Sequence, residues 1–101
     1  MSNPIELKLE NNGKGAFVID QGEERLAEMA FGISKGNLTV YHTEVSDKLK
    51  GKGIATRLLS EMVDYARNHE LKVIPLCQYV QTQFKRHSEL YQDVWNQNWH
   101  G

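Results

Sequence analysis

The hydrophobic pattern of this chain changes period once, at a glycine-containing loop near residue 50. Before the loop, apolar and polar residues alternate, as strands with one buried face require. Ile5, Leu7 and Leu9 alternate with Glu6, Lys8 and Glu10, which predicts a first strand over Ile5 to Glu10 with one face buried. Asn12-Gly13 and nearby Gly15 supply the positive-φ residues of a tight reversal, and Ala16 to Asp20 follows as a second strand. Gln21-Gly22-Glu23 predicts another turn, after which Ala27, Met29, Phe31 and Ile33 share one face of a third strand. Lys35-Gly36-Asn37 makes a third turn, and Leu38 to Val45, rich in Thr, Val and Tyr, reads as a fourth strand. The first half is expected to be an antiparallel meander.

After the loop the period is helical. Ile54, Leu58, Met62, Tyr65 and His69 recur at three- and four-residue spacing, and Ala55, Leu59, Val63 and Ala66 widen the stripe. This predicts a helix from about Gly53 to His69 packed on the sheet. Leu71 to Leu76 is too short for another helix and suits a buried fifth strand, parallel to the fourth through the helical crossover. Gln78 to His87 and Glu89 to Val94 read as two short helices, and Trp95 to Gly101 as a polar, aromatic-tipped tail. The fold class is therefore α+β, with one α/β crossover. At 101 residues, a single domain over 1–101 is expected.

Composition narrows the partners. The chain is 40% hydrophobic and 25% charged, as in globular proteins. Twelve basic and 13 acidic residues leave a net charge of -1, so no global field draws it to nucleic acid or to an anionic membrane. Neither partner is expected. Met1 to Lys8 lacks the pattern of a signal peptide, and no apolar run approaches the roughly 18 residues of a membrane span. A cytoplasmic protein is expected, monomeric or weakly dimeric. Cys77 is the one cysteine, which excludes an internal disulfide and a cysteine-based zinc site; no metal is expected. Asn37-Leu38-Thr39 fits a glycosylation sequon, but here it reads as the opening of a strand.

The loop itself is Lys48-Leu49-Lys50-Gly51-Lys52-Gly53, followed by Ile54-Ala55-Thr56. Two glycines one residue apart let backbone approach a ligand closely, and the free amides of a first helical turn then point at it. The helix dipole and Lys48, Lys50 and Lys52 add positive charge, so the loop suits a phosphate. Alternatively, Gly51 and Gly53 only turn strand into helix. A Walker loop would need Ser or Thr after a Gly-Lys pair, and a dinucleotide fingerprint a third glycine where Thr56 stands; both are excluded.

Lys48 to Gly53 resembles the (Gln/Arg)-x-x-Gly-x-(Gly/Ala) pyrophosphate loop of GNAT-superfamily N-acetyltransferases, with Lys48 in place of the usual Gln or Arg. More narrowly, His42-Thr43-Glu44-Val45, Gly51 to Ala55, and Val73-Ile74-Pro75-Leu76-Cys77-Gln78-Tyr79-Val80 resemble the small YjdJ-type GNAT proteins of about a hundred residues. The likeness spans Leu38 to Val94, and Ser88 departs from a frequent Pro. It implies a compact GNAT-like fold and an acyl-CoA-dependent acetyltransferase acting on an amine, with acetyl-CoA as cosubstrate. It further implies pantetheine contacts from the backbone of Thr43, Glu44 and Val45. Pyrophosphate contacts would come from Lys50, Gly51, Lys52, Gly53, Ile54 and Ala55, with a hydroxyl from Thr56.

Acetyl transfer needs a neutral nucleophile, a donor to the developing oxyanion and a route for protons. Cys77 follows the fifth strand and resembles the suspected catalytic cysteine of the small YjdJ-type proteins; an acetyl-Cys77 intermediate is one reading, a small buried hydrophobe the other. His42 is the candidate base or orienting group, and alternatively a satisfied sheet histidine. Glu44 shares its strand face. Tyr79 and Tyr91 are candidate donors to the leaving thiol or packing aromatics. Arg86, His87, Trp95 and Trp99 are candidates to border the acceptor groove. Two further functions compete with the enzyme: a non-catalytic acyl-CoA-binding module, and a single-strand nucleic-acid binder using the loop lysines, which the net charge disfavours.

Overall fold

The computed structural model describes residues 4–98. Five strands form one sheet in sequence order: β1 (Glu6–Leu9), β2 (Lys14–Gln21), β3 (Glu24–Ser34), β4 (Asn37–Val45) and β5 (Lys72–Pro75). The first four pair antiparallel and β5 runs parallel to β4, as the change of period predicts. Two-residue turns at Gly22-Glu23 and Lys35-Gly36 join the strands, with positive φ at Gly22, Lys35 and Gly36.

Between β4 and β5 the chain makes a short 3₁₀ turn at Asp47–Leu49 and then helix α1 (Ile54–Asn68). Helices α2 (Gln78–Arg86) and α3 (Ser88–Tyr91) follow β5. All three lie on one face of the sheet. Ile54, Leu58, Met62 and Ala66 of α1, Val80 and Phe84 of α2, and Phe17, Met29, Phe31, Leu38, Val40 and Val73 of the strands form one buried cluster. The Thr56 hydroxyl lies 3.4 Å from that of Tyr79. Arg67 near the end of α1 binds Asp93 through Nε and Nη2, at 2.9 and 3.1 Å, and the Leu90 carbonyl at 2.6 Å. Among the described residues, no helix is long and apolar enough to cross a membrane.

Gly15 shows why one position must lack a side chain. A Cβ there would stand 2.6 Å from the Lys8 carbonyl oxygen and 2.8 Å from the Phe31 ring. Its absence lets Phe31 pack across β2 against Phe17, ring centroids 5.2 Å apart.

Three expectations are corrected. β1 has no buried face: Leu7 and Leu9 point to the helix side but are 41% and 50% exposed, because β1 is the outer edge and only Ile5 reaches the packing around α1. The second short helix ends at Tyr91 rather than Val94. The expected polar tail from Trp95 is tied down at its start: Val94 is buried, Val73 donates to its carbonyl and Asn96 donates to that of Val73. Trp95 thereby bridges β5 and packs edge-on to Phe84. Trp99 lies outside the described residues. Asn37 opens β4 as expected, and its side-chain carbonyl accepts from Asn96.

Candidate active site

β4 pairs with β5 only over Asn37 to Val40. Beyond that point β5 ends at Pro75, and the amides of Leu76 and Cys77 both donate to the Val40 carbonyl. A gap therefore opens beside Tyr41 to Val45. The direction of the exposed backbone follows from the ladder on the other side. Ser46 donates to the Leu26 carbonyl, so by antiparallel alternation Glu44 and His42 turn their backbone groups to β3, whereas Thr43 and Val45 turn theirs into the gap. Of the three residues expected to offer backbone to pantetheine, Thr43 and Val45 turn theirs into the gap and Glu44 turns its own to β3.

A bulge decides which side chains face which way. From Ser34↔Asn37 to Phe31↔Val40 the β3–β4 register is unbroken; between Ala30 and Phe31 it slips by one, so that His42 pairs with Ala30 and Glu44 with Glu28. The slip moves His42 and Glu44 to the face without helices and turns Thr43 and Val45 to the helix face. The Thr43 hydroxyl there lies 3.3 Å from Cys77 Sγ. Cys77 is only 6% exposed and holds the N-cap position of α2, where the helix dipole favours negative charge. His42 is exposed on the opposite face. The two candidate catalytic residues are thus not a pair, because adjacent strand residues point to opposite sides.

His42 has other partners. Its Nε2 lies 3.0 Å from Glu28 Oε2 and 3.6 Å from Glu44 Oε1. Arg25 donates through Nη1 to Glu28 Oε1 at 3.0 Å and through Nε to Asp20 at 2.8 Å. That pairing holds the Asp20 carboxyl below its ordinary value and raises Arg25, chiefly through their mutual hydrogen bond. Glu28, His42 and Glu44 each bring one ligand atom within 4.8 Å of the others, close enough to hold a cation between them. Glu28 escaped the sequence reading. Its signal is a lone acid in the apolar run Ala27 to Phe31, but the bulge that seats it beside His42 carries no sequence mark. A groove of about 330 Å³ runs from Arg25 and Glu28 to Glu44 and Ser46.

At the other end of the gap, Gly51 and Gly53 adopt φ of +80° and +68°. A Cβ on either would meet nothing within 4 Å, so what demands glycine is the backbone conformation, and the space around the loop is open. Gly53 is the N-cap of α1 and has no side chain to bond the first-turn amides, which leaves them directed at that space. Lys50 and Lys52 make no ion pair among the described residues. Lys48 does: its Nζ lies 2.7 Å from Glu24, so its charge is partly spent within the chain. Tyr79, through its contact with Thr56, stands at this loop, whereas Tyr91 stacks on Phe84 at 4.5 Å. Trp95 is half-buried against the core beside Phe84 and lines a groove with Lys72, Gln92 and Asn96, apart from the one at Glu28 and Glu44.

A strand that splays from its parallel neighbour, followed by a glycine loop and an uncapped helix, is the arrangement that the resemblance to N-acetyltransferases implies. The sequence profile of the GCN5-related N-acetyl-transferase family matches residues 16–94, and the chain belongs to that family. It is similar over 94% of its length to the solution structure of a GCN5-like candidate N-acetyltransferase from Staphylococcus aureus, with 33% identity, a TM-score of 0.65 and 90% of that chain covered. It is also 34% identical over 53 residues to Protein NATD1 of Xenopus tropicalis. That likeness takes in 52% of this chain and spans about half, 49%, of the relative.

Proposed function

We propose that the chain moves an acetyl group from acetyl-CoA to an amine, either a protein amine or a small molecule, in the gap between β4 and β5. The observation that carries this is the convergence on one gap of the outward backbone of Thr43 and Val45, the Cys77 sulfur and the positive-φ glycine loop. The pantetheine arm would add to the free edge of β4 as a strand does. The pyrophosphate would lie on the amides of Gly51, Lys52, Gly53, Ile54 and Ala55, with Lys50 and the Thr56 hydroxyl beside it. Within the family, the segments around His42, Gly51 and Cys77 support a reading of the chain as one of the small YjdJ-type proteins.

Two routes fit the geometry. In direct transfer, the acceptor nitrogen enters from the open face, bonds to the thioester carbon and breaks its C–S bond. His42 takes the proton the nitrogen loses, oriented by Glu28, and the departing thiolate gains a proton, which the Tyr79 hydroxyl, 3.4 Å from that of Thr56, would supply. In the covalent route, Cys77 Sγ attacks the same carbon, and the coenzyme leaves as a thiol with the proton that Cys77 gave up. The amine then displaces Cys77, and its proton restores the thiol. Burial of Cys77 favours a second reading, a non-catalytic acyl-CoA-binding module.

Intact-protein mass spectrometry after mixing with acetyl-CoA, paired with calorimetric titration of coenzyme A, separates these. Binding with an acetyl adduct at Cys77 supports the covalent enzyme. Binding without an adduct leaves direct transfer, to be assayed with amines, or the binding module; absence of binding overturns the proposal.

A further inference from the structure

Among the described residues, no strand pairs with the outer side of β1. Glu10 donates its amide to the Lys14 carbonyl across the first hairpin, so alternation turns the backbone groups of Lys8 and Glu6 toward β2 and those of Leu7 and Leu9 outward. An outward row of N–H and C=O groups is a template for another strand. The side chains are set for the same event. Leu7 and Leu9 are large apolar groups left about half exposed on the helix face, whereas Glu6 and Lys8 stand on the other face, 3.8 Å apart.

We infer that β1 is the seam of a two-fold dimer in which the edge strands of two copies pair antiparallel, centred on Leu7, and join the two sheets into one of ten strands. Charge selects this register. With Leu7 opposite Leu7, Ile5 meets Leu9 on the helix side, and Glu6 of each copy meets Lys8 of the other as a non-hydrogen-bonded pair, where side chains approach most closely. Shifting the centre to Lys8 sets lysine against lysine and Glu6 against Glu10; shifting it to Glu6 sets glutamate against glutamate. Of these three centres only Leu7 sets opposite charges against each other; a centre at Leu9 would set Lys8 against Glu10 but would draw the turn residues Asn11 and Asn12 into the ladder and leave Ile5 without a partner. A two-fold axis normal to the sheet keeps both helix layers on one side, so Leu7 of each copy covers its counterpart. The seam lies at the sheet edge farthest from the gap between β4 and β5, and both acyl sites stay open.

Sedimentation over concentrations from about 10 μM to ~1 mM, a span suited to so short a seam, tests this. The parent chain is expected to pass from 11.6 kDa to twice that mass. Lys8→Glu and Glu6→Lys, each placing like charges opposite one another, should weaken association about tenfold. An equimolar mixture of the two restores both crossed pairs and should recover the dimer. Coenzyme A affinity, measured alongside, should be the same in all variants, which keeps this test separate from that of the acyl site and confirms that the variants are folded. A parent that stays monomeric at the highest concentration overturns the proposal, as do single variants that dimerise like the parent or a mixture that stays monomeric.

Discussion

The Thr43 hydroxyl and the Cys77 sulfur, 3.3 Å apart, join the splayed end of β4 to the start of α2 across the gap. One of the pair is the proposed nucleophile, and the other sits on the strand whose backbone would hold the pantetheine arm. Cys77→Ala is expected to keep acetyl-CoA affinity and lose both the acetyl adduct and turnover. Mass spectrometry and a free-thiol assay check this; a variant as active as its parent would leave only direct transfer.

Because His42 faces the opposite side of the sheet, its removal should have a different signature. His42→Gln is expected to lower turnover about 10²- to 10⁴-fold, the usual contribution of a general base, with calorimetric coenzyme A affinity unchanged. Glu28→Gln should give a smaller loss, since it touches His42 and not the acceptor. Equal turnover in His42→Gln and the parent would remove His42 from the mechanism.

The glycine loop is open around both glycines but strained for any other residue. Gly51→Val should cost about 1–2 kcal/mol of backbone strain at a φ of +80°, without a clash inside the fold. The coenzyme A dissociation constant should rise about tenfold or more while circular dichroism stays that of the parent. Unchanged affinity would refute the loop assignment.

Arg67 holds the Asp93 carboxyl below its ordinary value of 3.8 through their hydrogen bonds, and the pair ties the C-terminal segment to α1. A carboxyl held low when folded stabilises the fold above its unfolded value and loses that contribution as pH falls through its folded one. The parent is therefore expected to lose this increment below about pH 4, and Asp93→Asn to be less stable at neutral pH by up to about 1 kcal/mol, the pair being exposed. Urea unfolding at pH 7 and pH 3 should show the difference between parent and variant shrinking in acid.

The strands and helices were legible because each has a clean period and a turn or cap at its ends, from the alternation of Leu38 to Val45 to the stripe of Ile54, Leu58 and Met62. Less legible was what each face would meet. Leu7 and Leu9 have the alternation of a buried strand, yet their exposure is set by the reach of α1, which strand periodicity does not encode. Trp95 reads as polar-tail punctuation until β5 is seen to offer Val73 as a partner. For the site, the glycine loop was visible because positive φ restricts the residue type, and Cys77 because it is the one cysteine and its segment resembles that of the small YjdJ-type proteins. Its separation from His42 was hidden in the register. The two-residue turn at Lys35-Gly36, followed without a slip, would pair His42 with Met29 and turn it to the helix face.

That single extra residue at Tyr41 also makes the two sides of the proposed reaction independently adjustable. Substitutions at Arg25, Glu28, His42 or Glu44 change what approaches from solvent, while Thr43, Val45 and Cys77 remain on the other side of the strand. On the proposed reaction, acceptor preference can then drift without disturbing donor handling, so relatives that share Thr43, Val45 and Cys77 need not share an acceptor. Deleting Tyr41 should collapse that independence, driving His42 and Glu44 toward the core and parting Thr43 from the sulfur.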